Sequence, residues 1–241
     1  MDPNMRLVQD RRVARTLAGL ERNRMEGEYL ESRDQVVPRI RELLSDGDTV
    51  AVGGSATLSE CGVLDHLRSG RYRFLDRYAP GLSPEQVREI HVRAFSADAY
   101  LCSTNAVTEQ GELYNVDGNS NRVAAILFGP RRVILVAGVN KIVRDVDEAI
   151  LRVKQAAAPA NCMRLGCPTY CREEGRCLSL AVGRHGSTPG SGGSRGRLGS
   201  PGSLVDGCAS EARICCNYVV CGFQRHPGRI RVLLVGESLG F

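Results

Sequence analysis

Hydrophobic residues recur along this chain in two patterns, one with helical spacing and one of short unbroken runs. In the charged N-terminal segment, Leu17 and Leu20 can share one face of an amphipathic helix. Farther along, short apolar runs are bounded by polar turn residues, as in strands that are buried on both faces of a sheet. The clearest strand of this kind is Val133–Ala137.

The same two patterns predict the other elements of the chain. Further helices are predicted at Gln35–Leu44, from Ser55 to Leu67, from Ser83 to Val92, and from Val143 to Ala157, where Pro159 should end the helix. Further strands are predicted at Thr49–Val52, Tyr72–Leu75, Ala99–Leu101, Val123–Phe128, Tyr218–Phe223 and Ile230–Val235. Strands that alternate with helices of this length indicate an α/β fold with a largely parallel sheet flanked by helices.

Composition indicates a globular protein of ordinary hydrophobicity. The 241 residues are 42% hydrophobic and carry a formal net charge of +5. Arginines are scattered along the chain, which favours a solvated basic surface over nucleic-acid binding. The first 30 residues lack the apolar core of a signal peptide, and no apolar run is long enough for a membrane span. We therefore expect a cytoplasmic protein.

Composition also changes along the chain and predicts its organisation. Residues 1–46 should form an N-terminal helical segment, and residues 47–160 together with 213–241 the α/β core. Residues 161–182 and 206–216 form a cysteine-rich segment. Between them, residues 183–205 are rich in glycine and serine and almost free of apolar residues, which predicts a flexible insertion.

Polar residues concentrate between positions 98 and 141, at or beyond the predicted strand ends. They are Asn105, Glu109, Asn115, Asp117, Asn119, Asn121, Arg122, Asn140 and Lys141. Ligands of open α/β sheets bind at the carboxyl ends of strands, so this stretch is the candidate binding site. Arg122 could bind a carboxylate or phosphate in bidentate geometry, with Asn140 and Lys141 as donors on the next loop. Alternatively, Asn121 and Arg122 could satisfy loop carbonyls.

A second candidate anion site follows the strand Thr49–Val52. The sequence Gly53-Gly54-Ser55-Ala56-Thr57 joins that strand to the next helix. Backbone N–H groups and the helix dipole can attract an anion at such a turn, with Gly54, Ser55 and Thr57 as its ligands. The alternative is a tight turn that needs glycine for steric reasons only.

Ten cysteines occur in the sequence, and most of them lie near the C-terminus. In a reducing compartment they are thiols or metal ligands rather than disulfides. Four thiolates brought together would suit tetrahedral zinc or an iron–sulfur cluster. The alternative is a set of unligated thiols.

Three motifs carry a family resemblance. The sequence TNAVTEQGELYNVDGNSNRVAAILFGPRRVILVAGVNK at 104–141 resembles the signature of the lactate-utilization (LUD) domain family, which is typified by the LutC-like component of bacterial L-lactate oxidation. GGSATLSECG at 53–62 and VLLVGESLG at 232–240 resemble its flanking motifs. The resemblance implies a fold similar to the sugar-phosphate isomerase and CoA-transferase group.

The resemblance also implies metal ligands. Shorter family members carry a C-terminal cysteine pattern that is similar to the order of Cys171, Cys177, Cys208 and Cys215 in this chain, although residues 183–205 divide it. These four cysteines are therefore the implied ligands. The electron-transferring role of the family favours an iron–sulfur cluster over zinc.

The function implied by the resemblance is assistance in the oxidation of L-lactate to pyruvate. The chain would bind a small anionic metabolite, either a 2-hydroxy or 2-oxo acid or a phosphorylated compound, and would work with other lactate-utilisation subunits. One alternative is an isomerase or CoA-transferase type of enzyme, with Glu109 as nucleophile and Lys141 as its catalytic partner. Another is a non-catalytic metabolite-binding or regulatory module.

Overall fold

Ten strands form two sheets in the computed structural model, which describes residues 2–180 and 204–241. In chain order the strands are β1 Glu26–Leu30, β2 Thr49–Val52, β3 Arg73–Leu75, β4 Ala99–Cys102, β5 Ala106–Thr108, β6 Leu113–Asp117, β7 Arg132–Gly138, β8 Ile142–Val143, β9 Asn217–Cys221 and β10 Ile230–Val235. Six of them make a main sheet in the order β1-β10-β7-β4-β2-β3, and every neighbouring pair is parallel. The other four make a smaller mixed sheet in the order β8-β5-β6-β9.

Nine α-helices surround these sheets in the described part of the chain. They are α1 Pro3–Arg22, α2 Val36–Leu43, α3 Ala56–Glu60, α4 Val63–Leu67, α5 Pro84–Arg93, α6 Asn121–Leu127, α7 Val146–Arg152, α8 Ala158–Leu165 and α9 Tyr170–Glu174. Local sequence sets several of their ends. Ser83 and Gln86 form a reciprocal capping box at the start of α5, and Asp145 caps α7. None of these helices is both long and apolar enough to cross a bilayer.

The main sheet is buried on both faces, as its unbroken apolar strands predict. In β7, Val133 and Leu135 belong to one hydrophobic cluster, whereas Ile134 and Val136 belong to the cluster on the opposite face. A third cluster fills the space between the small sheet and α7. The α/β fold with a parallel sheet flanked by helices is therefore confirmed.

The long N-terminal helix α1 is held against the β5–β6 turn by two glycines. A Cβ atom at Gly111 would lie 2.2 Å from the backbone carbon of Gly19, so the two backbones touch. Gly111 also has a φ of +86°, in the region that side chains disfavour. Both requirements make glycine necessary at this turn.

The strand prediction for Val123–Phe128 was wrong, because this run lies in and just after α6. Val123 and Ile126 are buried on one side, while Leu127 and Phe128 are 55% and 83% exposed. A short apolar run has the same appearance in a strand and in a helix with one buried face. Strand β1, in turn, was not predicted, since Glu26 and Glu28 give this edge strand a polar sequence.

The prediction that Pro159 ends a helix was also wrong. The chain passes from α7 through a wider π-type turn at Val153–Ala157 and continues as α8 to Leu165. Proline lacks an N–H group and its ring crowds a regular α-turn. The wider turn just before Pro159 leaves space for the proline ring, so the helix continues through the proline to Leu165.

The predicted insertion at 183–205 lies almost wholly outside the described residues and stays a prediction. The segment 1–46 contains β1 in addition to its two α-helices. Strand β1 pairs with β10, so this segment contributes to the main sheet as well as covering it.

Candidate anion-binding site

A cavity of about 450 Å³ opens at the carboxyl edge of the main sheet. Its walls include Gly54 after β2, Arg77 after β3, Ser103 after β4 and Lys141 after β7. The chain leaves β2 toward β3 on one side and leaves β4 toward β7 on the other. The cavity thus lies where the strand order reverses, the position at which open α/β sheets bind ligands.

Most of the residues that the sequence nominated line this cavity. Those present in its wall are Gly54, Ser55, Thr57, Asn105, Asp117, Asn119, Asn121, Arg122 and Lys141. Asn140 is not among them. Its side-chain amide donates to the carbonyls of Leu239 and Gly240 at 3.4 and 3.3 Å, and its oxygen accepts from the N–H of Leu239 at 3.1 Å. Asn140 therefore anchors the segment after β10.

The two glycines after β2 have different roles. A Cβ atom at Gly53 would lie 2.9 Å from the hydroxyl of Tyr100, so this position requires glycine for steric reasons. At Gly54 the nearest atom would be 3.7 Å away, which leaves room toward the cavity. Ser55 is occupied by helix capping, since its Oγ accepts from the N–H of Leu58 at 3.2 Å.

Arg122 is held by protein groups at every donor. Nη1 donates to the Ser103 carbonyl at 3.0 Å and to Asn115 Oδ1 at 2.6 Å. Nη2 donates to Asn105 Oδ1 at 3.0 Å and to the Val116 carbonyl at 2.7 Å. Nε lies 3.4 Å from a carboxylate oxygen of Asp117. A guanidinium has five N–H donors, so these contacts use its four Nη hydrogens in hydrogen bonds and place Nε beside the Asp117 carboxylate.

The contacts of Arg122 therefore favour its role in joining loops over direct ligand binding. It ties the loop after β4 to the end of β6, and both border the cavity. Its charge still contributes to the field inside the cavity, because the side chain is only 12% exposed.

Lys141 is the most unusual charged residue of the site. Its side chain is buried, and Nζ donates to the hydroxyls of Thr57 and Ser103 at 3.0 and 2.9 Å. No carboxylate lies within ion-pair distance of Nζ in the described part of the chain. Burial, and then the nearby charges of Arg152 and Arg122, lower the pKa of Lys141 from 10.5 to about 7.

Several wall residues were not nominated from the sequence. The basic ones are Arg77, Arg164 and Arg213. Arg77 has no hydrogen-bond acceptor among the described residues, and its guanidinium lies 5.3 Å from the ring centre of Tyr78. Ser103 was missed as well. Arg77 and Ser103 follow β3 and β4 closely, so applying the strand-end rule to every strand would have found both.

The balance of charge in the cavity wall is positive. Five basic side chains line it, namely Arg77, Arg122, Lys141, Arg164 and Arg213, against the two carboxylates of Asp117 and Glu211. A partly enclosed cavity with this balance attracts anions.

Glu109 lies away from the cavity. Its carboxylate binds Arg12 at 2.9 Å and Arg15 at 2.5 Å, both on α1, so that it fastens this helix to the end of β5. Hydrogen bonds from Arg15 lower the pKa of Glu109 below its ordinary value. The structure does not bring Glu109 and Lys141 together as a catalytic pair.

Replacing Glu109 with glutamine is expected to lower the thermal midpoint by a few degrees, since losing a partly exposed ion pair costs about 1 kcal/mol in a domain of this size. Because the pKa of Glu109 is lowered, its stabilisation is present above the ordinary value of 4.5 and is lost as pH falls below it. Thermal unfolding at pH 7 and pH 3.5 checks this, with the exposed Glu89→Gln as control. A midpoint difference that is equal at both pH values would contradict it.

The cysteine-rich segment places its thiols in several environments. Cys171 Sγ lies 3.6 Å from Cys162 Sγ, and Cys177 accepts from the hydroxyl of Ser179. Across residues 2–180 and 204–241, no three Cys, His, Asp or Glu side chains are grouped closely enough to hold a metal ion. The metal site implied for Cys171, Cys177, Cys208 and Cys215 therefore stays a prediction.

Arg213 connects this segment to the cavity. Its guanidinium donates to the carbonyls of Cys215 at 2.7 Å and Cys208 at 2.9 Å, and Cys215 itself lines the wall. Burial raises the pKa of Cys215 to about 12, so the residue is a neutral thiol at physiological pH. It lacks the thiolate character of a catalytic cysteine.

The chain thus has a parallel α/β sheet with a basic cavity where its strand order reverses, the position at which open α/β sheets bind ligands. The chain belongs to the LUD domain family, whose model matches residues 13–235. No curated protein is similar enough in sequence to match.

Two solved structures are similar to this chain. One is the crystal structure of a duf162 family protein from Deinococcus radiodurans, with 17% sequence identity, a TM-score of 0.49, and coverage of 95% of this chain and 98% of that chain. The other is eIF2B beta from Chaetomium thermophilum, with 16% identity, a TM-score of 0.33, and coverage of 47% and 43%. Neither similarity carries an argument about the ligand of this chain.

Proposed function

We propose that this LUD-domain protein binds a small organic anion, a 2-hydroxy or 2-oxo acid, and thereby assists the oxidation of L-lactate to pyruvate. The observation that supports this best is Lys141, a buried amine in the cavity wall with no carboxylate partner among the described residues. Burial makes the protonated form of this amine costly, and an anionic ligand would supply the counter-charge that the described residues lack.

Arg77 is the proposed partner for the carboxylate of the ligand. Its guanidinium lines the cavity near Gly54. It makes no hydrogen bond to the described residues that binding of a ligand would have to break. Arginine binds carboxylates in bidentate geometry, which would orient the acid as well as attract it. Arg122, whose N–H groups already contact protein groups, would hold the surrounding loops in place.

The cavity is large for a three-carbon acid. A volume of about 450 Å³ lies in the range of ordinary metabolite and cofactor sites, so a phosphorylated compound is the second ligand class to test. Oxidation of lactate also requires an electron acceptor, and we propose that other lactate-utilisation subunits provide it. An acyl-transfer role for Glu109 has no support in its position, since its ion pairs hold it outside the cavity.

Isothermal titration with L-lactate, pyruvate and phosphoenolpyruvate tests the proposal. We expect at least one of the three to bind, and Arg77→Met to weaken that binding by roughly tenfold or more, the effect of losing about 1.4 kcal/mol. Arg93→Met removes an equal charge from an exposed position on α5 and should leave binding unchanged. Binding that is equal in native protein and Arg77→Met would show that the acid binds elsewhere, and binding of none of the three would refute the proposed function.

A further inference from the structure

The hydrogen bonds around Lys141 determine how many acceptors its amine has. The Thr57 hydroxyl donates to the Leu239 carbonyl at 3.5 Å, and the Ser103 hydroxyl donates to the Thr104 carbonyl at 3.3 Å. Each hydroxyl has a single hydrogen, which these contacts direct at a carbonyl, and each accepts from Nζ. Lys141 thus has two acceptors, and the described residues offer no third.

Two acceptors satisfy a neutral amine completely, whereas an ammonium group would have a third N–H bond without an acceptor among the described residues. A neutral amine has two N–H bonds and one lone pair, whereas an ammonium has three N–H bonds. With both N–H bonds directed at Thr57 and Ser103, the lone pair points away from those hydroxyls. The lowered pKa of Lys141 agrees with this arrangement. A buried neutral lysine is a nucleophile for carbonyl carbon.

Lysine is itself rare in this chain. Lys141 and Lys154 are the only lysines among 32 lysine and arginine residues. Arginine stays protonated in proteins and could not act as a nucleophile. A lysine at this place in the cavity wall can lose its proton, which an arginine there could not.

We propose that Lys141 captures the keto group of a 2-oxo acid in the cavity as a reversible imine. The lone pair of Nζ forms a bond to the carbonyl carbon, and the π electrons of the C=O bond move to oxygen. One proton passes from nitrogen to that oxygen and gives a carbinolamine. The second nitrogen proton then leaves with the hydroxyl group as water, and a C=N bond remains.

Formation of the imine needs no oxidant or reductant. It also distinguishes pyruvate from lactate, two acids of similar size and charge. Pyruvate has the carbonyl carbon that Lys141 requires, whereas lactate has a hydroxyl group there and cannot form the bond. The inference rests on the proposed function, because the acid must first bind in the cavity. Thr57 and Ser103 are positioning residues that accept hydrogen bonds from the two N–H groups.

Reduction of the imine tests the inference. The native protein is incubated with pyruvate and sodium borohydride, and intact mass is followed by peptide mapping. We expect one covalent adduct, on Lys141, and none with L-lactate. The matched variants are Lys141→Arg, which should lose the adduct because a guanidinium cannot act as the nucleophile, and Lys154→Arg, which should keep it. An adduct at Lys154 or at the N-terminal amine in place of Lys141 would overturn the proposal.

Pyruvate titration of the same samples separates failure of the two proposals. Pyruvate that binds native protein without forming a reducible adduct would refute the imine and leave the binding function standing. Pyruvate that neither binds nor forms an adduct would refute the imine, and the binding function would then depend on the other two ligands. Trapping should also increase as pH rises through about 7, since the neutral amine is the reactive form.

Discussion

Replacing Lys141 with methionine is expected to stabilise the protein at pH 7 and to destabilise it slightly at pH 10. The pKa of Lys141 is about 7 in the folded chain and 10.5 ordinarily. Between these values the unfolded chain holds a proton that the folded chain has released, so unfolding takes up a proton. The free energy of unfolding of the native protein therefore rises with pH across this window. The methionine variant lacks this dependence.

Two opposing effects set the size of the change. At pH 7 the buried amine costs at most about 4 kcal/mol, at about 1.4 kcal/mol per unit of pKa shift. Methionine removes this cost but also removes the hydrogen bonds to Thr57 and Ser103, which are worth about 1 kcal/mol each. The net gain at pH 7 is then about 2 kcal/mol. At pH 10 most of the cost is gone, and the lost hydrogen bonds leave the variant less stable by about 1 kcal/mol.

Urea unfolding of native protein and Lys141→Met at several values between pH 6 and 10 measures this difference. The exposed Arg93→Met serves as control and should follow the native protein at every pH. A difference in unfolding free energy that does not vary with pH would show that Lys141 stays protonated in the fold. Such a result would also remove the chemical basis of carbonyl capture.

Arg122→Met is expected to destabilise the protein by about 3–5 kcal/mol, because it breaks a network that is nearly closed to solvent. The side chains of Arg122 and Asp117 are 12% and 10% exposed. The variant would leave the Asp117 carboxylate without its cation and the carbonyls of Ser103 and Val116 without their donor. Buried polar groups that lose their partners account for most of the expected loss.

Thermal unfolding measures this effect as a fall in Tm of roughly 10 °C or more for a chain of this length. The matched control is Arg132→Met. Arg132 has two recorded partners, the Leu43 carbonyl and Asp48, and its side chain is 38% exposed, so the control should lose only about 1 kcal/mol. Equal losses of stability in the two variants would show that Arg122 contributes no more than an ordinary surface ion pair does.

Ligand binding separates the role of Arg122 from that of Arg77. Arg122→Met should weaken anion binding together with stability, since the loop carrying Asn105 and the end of β6 lose their connection. Arg77→Met should weaken binding with little change in Tm, because the Arg77 guanidinium has no hydrogen-bond acceptor among the described residues. If Arg77→Met lowered both binding and Tm while Arg122→Met lowered binding alone, Arg77 would be the residue that joins the loops and Arg122 the one that contacts the ligand.

Local pattern was enough to predict much of the secondary structure. The unbroken run Val133–Ala137 predicted a strand buried on both faces, and Ser83-Pro84 predicted the start of a helix. Prediction from the local pattern failed where the same sequence pattern is compatible with two different structures. Val123–Phe128 has the apolar content of a strand but lies in and just after α6, and β1 is polar because it lies at the edge of the sheet.

The sequence predicted which loops meet at one edge of the sheet but not the individual contacts of their side chains. Most of the polar residues after the strands line one cavity, because parallel strands bring their carboxyl ends to one edge. Yet Asn140 faces the segment after β10 and Glu109 faces α1. Both lie on predicted loops, and nothing in their local sequence distinguishes them from Asn105 or Lys141.

The sequence by itself determined the parallel α/β sheet and the loops that carry the site, because hydrophobic period and turn residues act over short distances. Only the tertiary structure decided which cations are available to a ligand. Arg122 and Arg77 both follow β-strands, but the loops around Arg122 supply acceptors for all four of its Nη hydrogens and those around Arg77 supply none among the described residues. The burial that lowers the pKa of Lys141 likewise comes from packing of residues distant in the chain, notably Thr57 and Ser103.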